Sequence, residues 1–333
     1  MGTLNTAVIG VGSMGYNHAR VYSELDSVKL LGVADPDKAR FKRVSGDFSC
    51  NGYGDYRELL KSEEVDAVSI CVPTQYHKEV AIDCLDAGVN VLVEKPISDS
   101  VSAGKEIIEK AGKQDLKLMV GHIERFNPAV IKLKQEITAG RLGKAFKLHS
   151  RREGPFPNRI RDVGVVIDLA VHDIDLMRYF TESEVKRVYA EAERRIHTSH
   201  EDLLSGLLKF RNDSIGVLSV NWLTPEKIRE MSVVGEKGML VVKYLTQELW
   251  YFENGDLNGR DYTYSDILMG VSEGDITGIR VKKQEPLKNE LSYFIESVEN
   301  GEDPLPGGLD GLKAVEIAEA VIDSCTKNKV VSF

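Results

Sequence analysis

The chain has 333 residues, of which 42% are hydrophobic and 29% charged, and its formal net charge is −9. A length of this size predicts two domains at ~100–200 residues each, and the negative charge argues against a nucleic-acid surface. No apolar run approaches the ~20 residues that span a bilayer. No basic leader precedes the first motif, so we expect no signal peptide, no membrane partner and a cytoplasmic location.

Cysteine and histidine usage predicts neither a disulfide framework nor a metal centre. The four cysteines, Cys50, Cys71, Cys84 and Cys325, are scattered without a Cys-x-x-Cys pair. No His/Cys cluster has the spacing of zinc ligands. We therefore expect reduced thiols and no bound metal.

The first predicted strand, residues 6–9, leads directly into a glycine motif of G-x-G-x-x-G spacing. In dinucleotide-binding folds the three glycines allow a tight turn, close approach of the backbone to a pyrophosphate, and close helix–strand packing. Backbone N–H groups at the start of the following helix then hold the phosphates. The residues expected to contact the cofactor here are Gly10, Gly12, Ser13, Met14 and Gly15.

The second predicted strand, Val28–Ala34, ends in Asp35, about 20 residues after the motif, where a carboxylate suits the hydroxyls of an adenosine ribose. Asp35 and Asp37 would repel the 2′-phosphate of NADP, so NAD is the expected cofactor. Arg40 lies on the next predicted helix, where its guanidinium can stack on the adenine. The alternative role for such an acid is a helix N-cap, for which Asp37 is the better placed of the two.

Apolar runs at residues 65–72, 89–94 and 116–121 then alternate with helical stretches such as 56–61 and 79–87. This alternation is typical of βαβ units on a parallel sheet, and it predicts a doubly wound Rossmann domain over residues 1–122. Thr74 and His77 follow the strand that ends at Val72, beside the expected nucleotide crevice. We place both among the cofactor-binding residues, although a capping role fits His77 equally well.

Glu94, Lys95 and Pro96 end the strand of residues 89–94. Ligands bind beyond the carboxyl ends of strands in open α/β sheets, so Glu94 and Lys95 are expected at the cofactor crevice. Burial lowers the pKa of an amine, which favours a role for Lys95 in proton transfer or in polarising a substrate oxygen. An exposed loop lysine is the alternative, and placement alone does not separate the two.

After Gly121 the pattern changes to that of a second α/β domain, residues 123–333, with helices predicted over 128–138, 165–180, 287–299 and 309–327. Strand-like stretches separated by turn signals indicate a large, open, mostly antiparallel sheet, and they cover residues 145–152, 185–194, 203–210, 214–222, 228–234, 239–243 and 249–252. Residues 259–277 are predicted to form a loop. A sheet with one uncovered face exposes a large apolar area, so we expect a homodimer or homotetramer.

The helix predicted over residues 165–180 carries Asp168 and His172, whose spacing places them on one helical face. A carboxylate beside an imidazole orients the ring and supports its protonated form, as a general base requires. Asp175 lies on the same side. An incidental surface histidine is the alternative, but three ionisable groups beside an apolar stripe favour a functional role.

Two further sets of residues are candidates for substrate binding. His122 follows the last predicted strand of the first domain. Arg151, Arg152, Arg159 and Arg161 lie in one short stretch before the Asp168 helix. Such a run usually marks a solvated face, but arginines there can clamp a phosphate or carboxylate, and Arg159 and Arg161 are the ones we expect at a substrate diphosphate.

Together these motifs resemble the glucose–fructose oxidoreductase/inositol dehydrogenase (Gfo/Idh/MocA) family over essentially the whole chain. The Glu94-Lys95-Pro96 tripeptide is the most specific element, and it occurs together with the Asp168–His172 helix. The resemblance implies NAD-dependent oxidation of secondary alcohols, with Lys95 and His172 at the reacting hydroxyl and Asp168 nearby. One departure is the absence of the Gly-Gly pair that commonly precedes the aspartate, where this chain has Gly164 followed by two valines.

The segments 154–165 and 222–227 resemble those of the UDP-N-acetylglucosamine 3-dehydrogenases within that family. The expected reaction is therefore oxidation of UDP-N-acetylglucosamine at its 3-position. Two alternatives are an inositol or free-sugar dehydrogenase of the same family, and a regulatory protein that binds NAD without catalysis. The intact set of Lys95, Asp168 and His172 argues against the latter.

Overall fold

The computed structural model describes residues 3–157, 163–197, 199–255 and 273–333. Its internal contacts divide the chain into two units. The first contains residues 1–126 and 285–316, and the second contains residues 127–284 and 317–333. Residues 285–316, which a single boundary after residue 122 assigns to the second domain, therefore pack with the first unit. Within the described residues, no helix combines the length and the apolar character needed to cross a membrane.

The first unit contains a six-stranded, wholly parallel sheet. Its strands are β1 (Leu4–Ile9), β2 (Val28–Ala34), β3 (Asn51–Tyr53), β4 (Ala67–Ile70), β5 (Asn90–Glu94) and β6 (Leu118–Gly121). The order is β3-β2-β1-β4-β5-β6, which is the Rossmann arrangement. Every residue of β4 and β6 is buried, as expected for strands covered by helices on both faces.

The helices of this unit are α1 (Ser13–Glu24), α2 (Lys38–Phe48), α3 (Tyr56–Ser62), α4 (His77–Asp86), α5 (Val101–Gln114) and α8 (Pro286–Asn300). Local sequence explains several of their starts. Asp37, Asp55 and Ser100 cap α2, α3 and α5 by accepting hydrogen bonds from backbone N–H groups of the first turn. Helix α8 packs against α1 and against the 3₁₀ turn of Ile123–Phe126.

The second unit contains a nine-stranded mixed sheet. Its strands are β7 (Ala145–Pro155), β8 (Val185–Glu193), β9 (Leu203–Phe210), β10 (Ile215–Asn221), β11 (Leu223–Gly235), β12 (Gly238–Lys243), β13 (Glu248–Asn254), β14 (Glu273–Ile279) and β15 (Val331–Ser332). The order is β14-β13-β12-β11-β7-β10-β9-β8-β15, and only the β10–β7 pair is parallel. Strand β14 overlaps the loop expected over residues 259–277, and the remainder of that prediction, residues 259–272, lies outside the described residues.

Within the described residues, helices cover one face of this sheet and leave the other, which we call the open sheet face, uncovered. Helices α6 (Pro128–Thr138) and α7 (Val171–Thr181) contribute to the same apolar core as alternate residues of the strands, among them Leu148, Leu218 and Met231. The residues between them face outward, and strand register aligns many into rows. One row is Leu207, Val217, His149, Ser232, Val241 and Trp250. Leu207 is 50% exposed and Trp250 is 39% exposed.

A buried ion pair attaches α7 to the sheet. The guanidinium of Arg152, on β7, donates from Nε to Asp173 Oδ2 at 2.8 Å and from Nη2 to Asp173 Oδ1 at 3.2 Å. The side chains are 4% and 0% exposed. The two parallel hydrogen bonds fix the orientation of the helix as well as its position. The residue before Asp173 is His172.

Removing the carboxylate of this pair takes away the bidentate partner of a buried guanidinium. We expect Asp173→Ala to lower the free energy of unfolding by about 3–5 kcal/mol. The control is Glu230→Ala, which removes a partly exposed partner of Arg151 and is expected to cost less than about 1 kcal/mol. Both are measured by chemical denaturation, and equal losses in the two variants would contradict this role for the Arg152–Asp173 pair.

Candidate functional site

The glycine motif forms an open cradle at the start of α1. Gly10 has φ +85°, and a Cβ there would lie 2.7 Å from the Val72 backbone nitrogen, while a Cβ on Gly15 would lie 1.9 Å from the Gly10 carbonyl oxygen. Gly12, in contrast, has no atom within 4 Å of a Cβ position. It is the N-cap of α1 and makes no side-chain cap bond. Two glycines therefore serve packing, and the third leaves space where a pyrophosphate can approach the helix N-terminus.

Asp35 lies beside this cradle with its side chain largely buried. Its Oδ2 accepts from the Val11 backbone N–H at 2.9 Å, and its Oδ1 accepts from the Asp37 N–H at 2.9 Å. Asp37 caps α2 by accepting from the Ala39 and Arg40 N–H groups, as the sequence predicts. Arg40 is an exposed residue of α2 whose Nε lies 3.3 Å from Asp37 Oδ2. Two carboxylate groups, those of Asp35 and Asp37, therefore follow the end of β2, with Asp35 next to the glycine cradle.

His77 connects the loops that follow β4 and β5. It is 1% exposed, with Nδ1 at 2.8 Å from the Pro96 carbonyl oxygen and Nε2 at 2.9 Å from the Val72 carbonyl oxygen. Burial lowers the pKa of the ring, and the two carbonyl contacts partly oppose this effect. Because both ring nitrogens are occupied, the geometry favours the structural alternative for His77 over a cofactor contact. Thr74 begins the 3₁₀ turn just before it.

The Lys95 backbone is held by the residue before it. Glu94 Oε2 accepts from the Lys95 N–H at 3.2 Å, and Glu94 Oε1 lies 3.1 Å from His18 Nε2, on α1. Burial raises the pKa of Glu94, but the bond to His18 and the charges of His18 and Lys95 offset this, so that its pKa lies below the usual value. Glu94 is 9% exposed, and Lys95 is half-buried. His18 was not predicted from the sequence, because no local motif marks it.

His122 directly follows β6 and is 1% exposed. Its backbone N–H donates to the Val120 carbonyl at 2.7 Å. The neighbouring Gly121 is needed for Glu94, because a Cβ there would lie 3.1 Å from the Glu94 carboxyl carbon. The ends of β5 and β6 therefore form one closely packed layer around the Glu94 side chain. A substrate contact of His122 stays a prediction.

In the second unit, the predicted continuous helix over residues 165–180 is interrupted by a π-helical segment, Val166–Ala170, that contains Asp168. His172 follows on α7. In α- and π-helical geometry alike, residues four apart differ by close to one full turn, so both side chains remain on one side of the helix. Both are half-buried, whereas Asp175 is 1% exposed. Single π-turns inside α-helices occur frequently at functional sites.

Glu201 positions the start of this helix. Its Oε1 accepts from the Val166 N–H at 3.1 Å, and its carbonyl accepts from the Val165 N–H at 3.0 Å. A Cβ on Gly164 would lie 2.1 Å from Glu201 Oε1, so a larger residue at this position would displace the Glu201 carboxylate from the start of the helix. The role of Glu201 was missed because its partners are 35 and 36 residues away.

The arginine run is divided between two kinds of position. Arg151 pairs with Glu230 and Glu153 on the sheet, and Arg152 pairs with Asp173. These two therefore serve the fold of the second unit. Arg159 and Arg161, which were expected at a substrate diphosphate, lie outside the described residues.

Comparison with protein-family models gives two matches. Residues 4–122 match an oxidoreductase family with an NAD-binding Rossmann fold. Residues 130–241 match the GFO/IDH/MocA C-terminal domain. The first match contains the glycine cradle, Glu94 and Lys95, and the second contains Asp168 and His172.

Two characterised dehydrogenases are similar to the chain over most of its length. UDP-N-acetylglucosamine 3-dehydrogenase of Acidithiobacillus ferrooxidans is 29% identical, covering 89% of this chain and 88% of that protein. A solved structure of that enzyme superposes with a TM-score of 0.87 at 28% identity, covering 97% of this chain and 98% of its own. Myo-inositol 2-dehydrogenase of Thermotoga maritima is 26% identical, covering 99% of this chain and 98% of that protein.

The open space at Gly12 generates a prediction for cofactor affinity. A methyl group there obstructs the pyrophosphate without meeting protein atoms, so Gly12→Ala is expected to weaken NAD binding at least about tenfold, or ~1.4 kcal/mol, with little change in stability. Gly112→Ala, at an equally open position on α5, is the matched control. Titration of the purified variants with NAD measures both, and unchanged affinity in Gly12→Ala would place the pyrophosphate elsewhere.

Proposed function

Because the chain belongs to the Gfo/Idh/MocA oxidoreductase family, we propose that it oxidises a secondary hydroxyl of a nucleotide sugar with NAD. The proposed substrate is UDP-N-acetylglucosamine, oxidised at the 3-position. The observation that carries this choice is the nearly full-length similarity to a dehydrogenase of that substrate, in sequence and in structure. The similarity to a myo-inositol 2-dehydrogenase supports the second candidate, oxidation of an inositol or free sugar.

We assign cofactor binding to the first of the two family domains and sugar binding to the second. Residues 1–122 bind the dinucleotide through the cradle of Gly10, Gly12 and Gly15, with N–H groups of Ser13 and Met14 at the pyrophosphate. The second domain binds the sugar, with Arg159, Arg161 and Asp175 as proposed substrate contacts, and His122, the last residue of the first domain, is proposed as a fourth. The four cysteines are free thiols, which fits a reducing compartment such as the cytoplasm.

Three side chains carry the proposed chemistry. NAD, when bound, accepts the hydride that leaves the carbinol carbon. The imidazole of His172 accepts the hydroxyl proton, and the carboxylate of Asp168 orients the ring for this transfer. The ammonium of Lys95 stabilises the negative charge that develops on the substrate oxygen as the carbonyl forms. Glu94 supports Lys95 through its bond to the Lys95 N–H.

The carboxylates at the end of β2 support NAD over NADP. Asp35 is held beside the glycine cradle by two backbone N–H groups, and Asp37 is held by its cap bonds and by Arg40. Two carboxylates there attract ribose hydroxyls and repel a 2′-phosphate. Arg40, once engaged with Asp37, is less available to compensate a phosphate, and stacking on the adenine remains its proposed role.

Turnover by wild type and two variants tests the proposal. Wild type is expected to reduce NAD with UDP-N-acetylglucosamine and not with inositols or free sugars. Lys95→Met and His172→Asn are each expected to lower kcat by ~10²–10⁴-fold, with the NAD dissociation constant changed far less. Lys113→Met, an exposed lysine on α5, is the control.

The possible outcomes separate the candidates. Turnover with an inositol alone transfers the assignment to the second candidate. Full activity of Lys95→Met contradicts the role given to that side chain. Tight NAD binding without turnover of any sugar or cyclitol supports the regulatory alternative instead.

Self-association through the open sheet face is part of the proposal. The face presents Leu207, Val217, Val241 and Trp250 in one register row, and Val234, Met239, Phe252 and Ile276 in the next. A second copy of the chain presents the same apolar rows and can cover them isologously. Dimer and tetramer are both compatible with one such interface.

Charged substitutions on this face are expected to dissociate the assembly. Wild type should sediment as a species larger than 37.0 kDa. The double variant Leu207→Glu/Trp250→Glu should sediment as the monomer, because each substitution replaces a buried apolar contact with charge repulsion between the copies. Leu309→Glu, at an exposed apolar residue of the first unit, is the control. A wild-type monomer in analytical ultracentrifugation contradicts the interface.

A further inference from the structure

Three ionisable side chains of the first unit, His18, Glu94 and Glu290, form what we call the buried acid cluster. His18 and Glu290 are 0% exposed and Glu94 is 9% exposed. They come from α1, the end of β5, and α8, three segments that are far apart in sequence. Glu290 has no place in the chemistry described above, and its burial therefore requires a separate explanation.

The two carboxyl groups of the cluster have very different surroundings. Glu94 is bonded on one oxygen to His18 and on the other to the Lys95 N–H. Both side-chain oxygens of Glu290 are buried, and neither has a hydrogen-bond partner among the described residues. An isolated carboxylate in such a position loses its hydration without compensation and is neutralised instead by a proton.

We propose that Glu290 is a positioning residue for Lys95: as a neutral carboxylic acid it leaves Glu94 as the single carboxylate of the buried acid cluster. Glu94 can then keep its bonds to His18 and to the Lys95 N–H. The positioning role of Glu290 rests on the proposed catalytic role of Lys95. The protonation of Glu290 does not depend on that role.

The electrostatics of the cluster agree with this geometry. Burial raises the pKa of Glu290 well above its ordinary value near 4.5, and the charge of Glu94 raises it further. Two carboxylates that share a dry site cannot both ionise at low cost. If Glu290 ionised, repulsion would act on Glu94, and Glu94 is the group that holds the Lys95 backbone.

Within the described part of the chain, no cation is bonded to Glu290. Helix α1 contributes His18, which is bonded to Glu94, and Tyr22, which bonds to Ser69. The segment after β4 contributes Cys71, whose thiol pKa is raised by burial and by both carboxyl groups. Lys95 follows Glu94. The 3₁₀ turn packed on α8 carries Glu124 and Arg125, and Arg125 pairs with Asp310.

The first test is the pH dependence of stability in Glu290→Gln, which is always neutral. Below pH ~4.5 wild type and variant both carry a neutral group. At higher pH the unfolded wild type ionises while the folded wild type keeps its proton, so that wild type loses stability relative to the variant by up to about tenfold in the unfolding equilibrium constant per pH unit.

We expect the ratio of the two unfolding constants, wild type over variant, to grow more than about tenfold between pH 5 and pH 7. Glu296→Gln, an exposed site on the same helix, is the matched control and should give a constant ratio. A constant ratio for Glu290→Gln would show an ordinary, ionised Glu290 and overturn the proposal. Infrared spectroscopy of wild type at pH 7 provides a second readout that needs no variant, since a protonated carboxyl band should be present.

The second test addresses positioning. The alkaline fall in kcat should occur at least one pH unit higher in Glu290→Gln than in wild type, because the variant cannot create the second carboxylate. Mass spectrometry measures the rate of acylation of the Lys95 amine. In wild type this rate should change at the pH at which kcat falls, and in the variant it should not change at that pH. Coincident profiles in both measurements would overturn the positioning role. The acylation readout decides this even if no substrate is turned over, which would count against the proposed function alone.

Discussion

The first unit depends on the contacts of the buried Glu94 carboxylate with His18 and with the Lys95 N–H. One oxygen meets His18 on α1, the helix that begins at the glycine cradle, and the other meets the N–H of Lys95 at the end of β5. The same side chain thus ties the helix of the glycine cradle to the lysine proposed for catalysis. Gly121 leaves room for it, and the buried side-chain oxygens of Glu290 have no hydrogen-bond partner among the described residues. A charged group so deeply buried is tolerated because both of its oxygens are satisfied.

The second unit uses a comparable device. Arg152 and Asp173 neutralise each other inside the core and set the orientation of α7, while Glu201 holds the N–H groups at the start of the π-helical segment. Asp168 and His172 lie between these two anchors. Side chains that must present a defined geometry to a substrate benefit from such rigid support, because misplacement by even ~1 Å is costly for catalysis.

Much of the fold could be predicted from the sequence because its signals are local. The glycine spacing, the alternating apolar runs and the capping aspartate at Asp37 predict the parallel sheet and its helices, and the comparisons confirm the family. Strand β14 was missed because its glycines and aspartate have low strand propensity, and pairing with β13 overrides that preference. The partners of His18 and Glu201 lie far away in sequence, and Glu290 is likewise far in sequence from the other members of the buried acid cluster. No periodicity records such pairings, so these supporting residues emerge only from the folded chain.

Isotopically labelled substrate reports whether a hydride passes from a defined sugar carbon to NAD. UDP-N-acetylglucosamine carrying deuterium at C3 is incubated with the protein and NAD, and the reduced nicotinamide is analysed by mass spectrometry. Hydride transfer from C3 predicts one deuterium in the reduced cofactor and none when the label is placed at C4. Unlabelled reduced cofactor from the C3-labelled sugar, or transfer of deuterium from C4, would contradict it.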